Sequence, residues 1–331
     1  MKTAIVSGIG GMDGPHLCKL LIDKGYNVIG ADRRRSQNEY KALNELGIYN
    51  EIEIINFDLL EYSSIKKLIE RVEPDEFYNL AAMSFVGASF EMPLQTIQTN
   101  TIGVANILDC IKNYSPKTRF YQASTSEMFG KVETSPQNEQ TPFHPRSPYG
   151  ISKLAAHWLT INYREAYGIR TSSGILFNHE SPYRGDDFVT QKIAKYVASW
   201  KPGKEPLLLG NLEAKRDWSH AQDMVEGMWL MLQKGGDYVL ASGTTRTVRE
   251  FVEAAFKVRN MDISWKGSGI NEIGMFKNQA VIALDSKFYR PAEVDILCGD
   301  ASKARNELGW VPKVSFENLV SEMVTYQSKK A

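Results

Sequence analysis

The segment SGIGGMDG, residues 7–14, sits where a β-branched run, TAIVS at 3–7, gives way to a stretch with helical periodicity. Gly8, Gly11 and Gly14 recur there at three-residue intervals. No other feature restricts the fold as much. Glycines allow a tight turn and close backbone approach, and the helix that follows aims its free N–H groups at an anion. A glycine-rich turn without a ligand would show the same spacing. The strand before it and the helix after it favour a dinucleotide pyrophosphate.

The rest of the first half repeats this strand–helix rhythm. NVIGA at 27–31, EIEIINF at 51–57, EFYNLAA at 76–82, RFYQAS at 119–124 and RTSSGILF at 170–177 read as strands, with amphipathic stretches at 62–72 and 93–114. Near-continuous apolar strands alternating with helices predict an α/β fold, a doubly wound parallel sheet covered on both faces. After about residue 177 the rhythm breaks. Helices around 188–200 and 220–234, a strand DYVLAS at 237–242 and a helix from about 248 precede a closing stretch of turn signals and a short helix. The expected division is a dinucleotide-binding domain of residues 1–177 plus 217–243, and a smaller C-terminal substrate-binding domain of residues 178–216 plus 244–331.

Composition narrows the function. Lys plus Arg equals Asp plus Glu at 39 each, so net charge favours neither nucleic acid nor a membrane as partner. Cys18, Cys110 and Cys298 are scattered and odd in number, and the five histidines form no metal-ligand spacing, so neither a disulfide framework nor a metal site is expected. No secretory signal opens the chain and no apolar run approaches the roughly 20 residues of a membrane span, so a cytoplasmic location is expected.

The second strand ends at Asp32, where a carboxylate suits the adenosine ribose of NAD, but Arg33, Arg34 and Arg35 follow and suit the 2′-phosphate of NADP. Both cofactors stay open on these residues. Asp58 and Leu59, after the third strand, are placed to meet the adenine, while Asn79, Ala81 and Ala82 lie at the end of the fourth strand.

The fifth strand ends QASTSEMFG, which brings Thr125, Ser126 and Glu127 to the carboxyl edge where ligands bind in such sheets. About 25 residues on, SPYGISK holds Tyr149 and Lys153 one helical turn apart. A phenol titrates near 10. The neighbouring ammonium and a cationic nicotinamide are expected to lower Tyr149 by roughly 1–3 units and make it a base near neutral pH. Hydride transfer needs Tyr149, Lys153 and a hydroxyl donor. A carboxylate at the same strand end points to removal of a second proton, one acidified by a newly formed ketone.

These blocks, with FYQASTSEMFG, PRSPYGISK, NYREAYG, GILFNHESP, LGNLEAKRDW and FYRPAEV, resemble the extended short-chain dehydrogenase/reductase family and, within it, the GDP-mannose 4,6-dehydratases, from residue 3 to about 325. The resemblance implies a lyase (hydro-lyase) of nucleotide-sugar metabolism and deoxysugar biosynthesis. In it Tyr149 takes the sugar 4-hydroxyl proton, Thr125 hydrogen-bonds that hydroxyl, and Glu127 takes the C5 proton and assists loss of the 6-hydroxyl. A GDP-heptose, or an epimerase or reductase on the same fold, is the alternative.

Tightly bound NADP, with NAD as alternative, is implied, and the cofactor set extends to Met12, Asp13, Leu80, Ser84, Leu176, Asn178, His179 and Arg184, with Tyr149 and Lys153. The substrate set implied is Ser84, Glu127, Asn178, Val189, Lys192, Leu209, Gly210, Arg216, Arg290 and Glu293. A homo-oligomer is implied, a homodimer or homotetramer paired through helices at 93–114 and 148–168. The chain departs from the family in shorter segments after Arg35 and at 266–284, and in Ser7 and Met12, where Thr and Gln are usual.

Overall fold

The computed structural model describes residues 1–33, 40–289, 294 and 296–330. Strands β1 (Thr3–Ser7), β2 (Asn27–Asp32), β3 (Glu53–Asn56), β4 (Glu76–Asn79), β5 (Arg119–Thr125) and β6 (Thr171–Leu176) follow the apolar runs of the first half. Later come β7 (Leu207–Leu209), β8 (Gly236–Leu240), β9 (Ser264–Lys266), β10 (Ile273–Phe276) and β11 (Gln279–Leu284). The principal helices are α1 (Asp13–Asp23), α2 (Tyr62–Val72), α3 (Val86–Glu91), α4 (Gly103–Tyr114), α5 (Pro148–Tyr167), α6 (Val189–Ala198), α7 (Ala221–Lys234), α8 (Val248–Lys257) and α9 (Phe316–Ser328).

Seven strands form one parallel sheet in the order β8-β6-β5-β4-β1-β2-β3. Strands covered on both faces have no solvent side to keep polar, and β4 and β6 are buried at every position. On one face Leu17 and Leu21 of α1 pack with Met224 and Met228 of α7. On the other, Ile65 and Leu68 of α2 meet Val104 and Ile107 of α4 and Ala156 of α5. The chain runs outward from β1 to β3 and then returns to β4 on the other side of β1. That reversal opens a crevice at the carboxyl ends of β1 and β4, where ligands bind in open α/β sheets.

A second, smaller sheet, β9-β10-β11-β7, packs with α6, α8 and α9 around Phe251, Phe256, Val281 and Met323. All four of its strands, and α9, go beyond the sequence reading. The hairpin between β10 and β11 turns at Lys277, whose φ of 55° is left-handed, a conformation that Lys seldom signals in sequence. Thr247 caps α8 through a reciprocal pair of hydrogen bonds with Glu250.

The stretch 93–114 is not one regular helix. A wider π turn, Gln98–Ile102, separates the turn at Pro93–Ile97 from α4. Such turns often mark functional sites. Among the described residues no helix is long and apolar enough to cross a membrane. The same residues hold no group of His, Cys, Asp and Glu side chains able to bind a metal ion.

Candidate active site

The crevice at the carboxyl edge widens into a cleft of about 1190 Å³ between the two sheets. The glycine turn forms its floor. Gly8 has a φ of 73°, and a Cβ there would lie 2.8 Å from the Ala81 backbone nitrogen. Only glycine lets the ends of β1 and β4 approach so closely. The Gly11 N–H donates to the Gly8 carbonyl at 2.9 Å and closes the turn, leaving the head of α1 facing the cleft. Met12, Gly14, Leu80, Ala82 and Ser84 line the same floor.

Asp32 ends β2, and one of its carboxylate oxygens accepts from the Arg33 N–H at 2.8 Å. Arg33 and Asp58 also line the cleft, and Asp58 accepts from the Leu60 N–H at 2.9 Å. Arg34, Arg35, Arg290 and Glu293 lie outside the described residues. Leu59 borders the cleft but is buried among the apolar side chains of the sheet face. Asn79 differs again. Its side chain is buried and held by Ser7 at 2.7 Å and Gln122 at 2.9 Å, so it ties three strand ends together.

A buried pair links the head of α1 to the segment after β6. Asp13 Oδ2 lies 2.9 Å from His179 Nε2, and His179 Nδ1 lies 2.8 Å from the Phe177 carbonyl. Both ring nitrogens face oxygens, an arrangement that favours the doubly protonated ring. Burial opposes this, but the Asp13 charge and hydrogen bond outweigh it and raise the His179 pKa. Burial likewise opposes ionisation of Asp13, and His179 outweighs it, with Arg184 helping, so the carboxyl stays below its ordinary value. Each group thus favours the charged form of the other across the head of α1.

The catalytic constellation gathers at the carboxyl end of β5. Ser147 caps α5 by accepting from the Gly150 N–H at 3.0 Å, and Pro148 occupies the first helical position. That start places Tyr149 in the first turn and Lys153 one turn later. A Cβ on Gly150 would stand 2.8 Å from the Glu127 carbonyl oxygen, so this glycine lets α5 press against the Ser126–Met128 turn. Thr125 Oγ accepts from the Glu127 N–H at 3.2 Å. Thr125, Glu127, Tyr149 and Lys153 all line the cleft.

Asn100 and Ser152 support this geometry and were not singled out by the sequence. Ser152 Oγ donates to the Tyr149 carbonyl at 2.7 Å and accepts from Asn100 at 3.0 Å, while Asn100 also bonds both backbone groups of Met83. Asn100 lies in the π turn. Gln98, Thr99 and Thr101 surround it, so no local pattern set Asn100 apart.

The protein's own groups do not lower Tyr149 as expected. Burial pushes its phenol up to about 12; a hydrogen bond to Thr125 and the charge of Arg184 oppose this, while Glu127 and Asp13 add to it. Burial also pulls Lys153 down to about 8. The expectation treated Lys153 as a fully charged neighbour. In the structure Lys153 is only 4% exposed, and desolvation penalises the charge that was to do the lowering.

Val189, Lys192, Leu209, Gly210 and Arg216 line the wall of the cleft formed by the later segments, and Leu176, Asn178, His179 and Arg184 line it too. Arg216 is buried and donates to the Val294 carbonyl at 2.7 Å. Its neighbour Asp217 accepts from Ser242 and from the backbone of Gly243 and Gly299, which pins the loops behind it. These residues fit a dinucleotide: a glycine cradle that a Cβ would fill, a helix head aimed at it, and an acidic strand end for the ribose.

A profile of the family described as GDP-mannose 4,6 dehydratase matches residues 5–323. The chain is 47% identical to the GDP-mannose 4,6 dehydratase of Drosophila melanogaster, covering 98% of this chain and 85% of that one. It is 45% identical to the Homo sapiens protein of the same name, covering 98% and 90%. A dTDP-glucose 4,6-dehydratase of Streptomyces venezuelae, solved with NAD bound, shares the fold with a TM-score of 0.83 at 22% identity, covering 99% and 97%.

A buried Lys153 has a consequence for stability. The gap between about 8 and the ordinary 10.5 corresponds to ~3 kcal/mol. Because the folded pKa lies below the unfolded one, the cost is full below about 8 and disappears as pH rises through 10.5. In protein stripped of nucleotide, Lys153→Met should therefore melt several degrees higher at neutral pH, with the gain shrinking in alkaline buffer. A variant no more stable than the parent near neutrality would contradict the burial cost.

Proposed function

The chain belongs to the GDP-mannose 4,6-dehydratase family, and on that premise we propose that it converts GDP-mannose to GDP-4-keto-6-deoxy-mannose with loss of one water. The observation that carries this reading is Glu127 beside Tyr149 at the end of β5, close enough for its charge to act on the phenol. A simple dehydrogenase needs one proton acceptor. This site offers two.

A nicotinamide bound along the glycine cradle would accept hydride from C4 of the sugar and return it to C6. Tyr149 takes the proton of the 4-hydroxyl, and Thr125, hydrogen-bonded to Tyr149, holds that hydroxyl in line. Lys153, one turn along α5, holds the nicotinamide ribose and favours the phenolate. Once C4 is a ketone the C5 proton is acidic. Glu127 removes it and gives it to the departing 6-hydroxyl, which leaves as water. C6 gains the hydride and C5 a proton, so the ring loses one water overall and no external oxidant is consumed.

In this reading residues 1–177 with 217–243 hold the dinucleotide, and 178–216 with 244–331 hold the nucleotide sugar. Gly8, Gly11, Met12, Asp13 and Gly14 cradle the pyrophosphate, Asp32 and Arg33 meet the ribose and its phosphate, and Asp58 faces the adenine. Lys192 and Arg216 serve the diphosphate or guanosine, with Arg290 and Glu293 closing over it. The cofactor is NADP. The support for this is a cation, Arg33, directly after Asp32, whose own carboxylate is already engaged by a backbone N–H.

The protein is a homodimer in this reading. Leu94 at 75% and Trp158 at 55% exposure stand with Ile97, Ile102 and Ile151 on the adjoining segment 93–102 and α5, an apolar face that a second copy would cover.

Three measurements test these statements. Incubated with GDP-mannose, the protein should yield a nucleotide sugar lighter by one water with no net cofactor reduction, as read by mass spectrometry; unchanged substrate would reject the assignment. Glu127→Gln should keep its cofactor but lose ~10²–10⁴ in dehydration rate, together with solvent-deuterium incorporation at C5; full turnover would remove the carboxylate from the mechanism. Native mass spectrometry should give twice the chain mass plus two NADP. A monomer would refute the dimer, and a mass matching NAD would refute the cofactor choice.

A further inference from the structure

Two aromatic rings meet in the cleft that holds Thr125, Glu127 and Tyr149. Phe85 stands at the head of α3, just after the segment that leaves β4, and Phe188 stands at the head of α6, on the chain that leaves β6. β5 lies between β4 and β6 in the sheet. The rings meet with 5.6 Å between centroids and their planes at 70°, in the cleft that also holds Thr125 and Glu127. Both rings line the cleft.

The pair is built unequally. Phe188 is held from below: the Arg184 guanidinium lies 3.7 Å from its ring centre, and Arg184 is paired in turn with buried Glu180 at 2.8 Å. Phe85 is 37% exposed and folds over Gly87, where a Cβ would come within 3.1 Å of the ring. One ring is anchored. The other leans on it edge to face, an arrangement aromatic pairs favour.

We propose that Phe85 and Phe188 form the wall that sets the length of the sugar this enzyme accepts. The inference rests on the functional reading above, which places the 4-hydroxyl at Tyr149 and carbons 5 and 6 at Glu127, in the same cleft. A hexose ends there. A heptose carries one more carbon and hydroxyl, which would have to displace a ring or bury its hydroxyl against two apolar faces without a partner. An apolar wall discriminates a single added carbon by about 10–200-fold.

The test compares GDP-mannose with a GDP-heptose of manno configuration, using enzyme carrying its cofactor. Initial rates give kcat/KM for each sugar, and calorimetry in the Glu127→Gln background gives each Kd without turnover. The parent should prefer the hexose by about 10-fold or more, and Phe85→Ala should erase most of that preference, chiefly through KM and Kd. Phe188→Ala should do the same, whereas Phe85→Trp, which keeps a ring in place, should retain the preference. A parent that takes both sugars equally overturns the wall. So does a Phe85→Ala protein with native melting temperature and an unchanged ratio, and so does an equal loss for both sugars with a lowered melting temperature. If the parent binds both sugars and dehydrates neither, the functional reading falls while the Kd ratio still decides the wall. If it binds neither, both fall.

Discussion

The site depends on burying a phenol and an amine one helical turn apart. Tyr149 and Lys153 are both held in a low-dielectric pocket that pushes the phenol up and the amine down, so each resists its charged form. Burial moves the two apart, from ordinary values of 10.0 and 10.5 to about 12 and about 8, so the neutral form of each is favoured. A positive charge brought in by a ligand would bias the phenol towards the phenolate.

Holding that pair requires support from several elements that are distant in sequence. Ser147 and Pro148 fix where α5 begins, Gly150 lets it touch the Glu127 carbonyl, and Ser152 couples its first turn to Asn100 in the π turn. Through Asn100 the same chain of bonds reaches Met83, which lines the cleft. A hydroxyl, an amide and a glycine therefore keep Glu127 and Tyr149 in one arrangement without contributing chemistry of their own.

The second lobe is organised by a comparable device. Asp217 is fully buried, and its burial is tolerated because it accepts four hydrogen bonds from two loops. That network fixes Arg216, whose guanidinium reaches the Val294 carbonyl, so the far wall of the cleft and the segment beyond it share one anchor. At the near wall, His179 and Asp13 favour each other's charged form across the head of α1, which faces the cleft.

Local pattern was enough to read the doubly wound sheet, the glycine turn, and the Thr125, Glu127, Tyr149, Lys153 group. Strand–helix alternation, glycine spacing and a capped helix are properties of adjacent residues, and each motif follows directly from its neighbours along the chain. What the sequence could not carry was anything that depends on contact between remote segments. The small sheet from β9 to β11 turns on a left-handed Lys277; Asn100 acts through a bond to a helix some fifty positions away. The direction of the Tyr149 and Lys153 shifts also belonged to the tertiary structure, because desolvation is set by what packs around a group and not by the residue four places along.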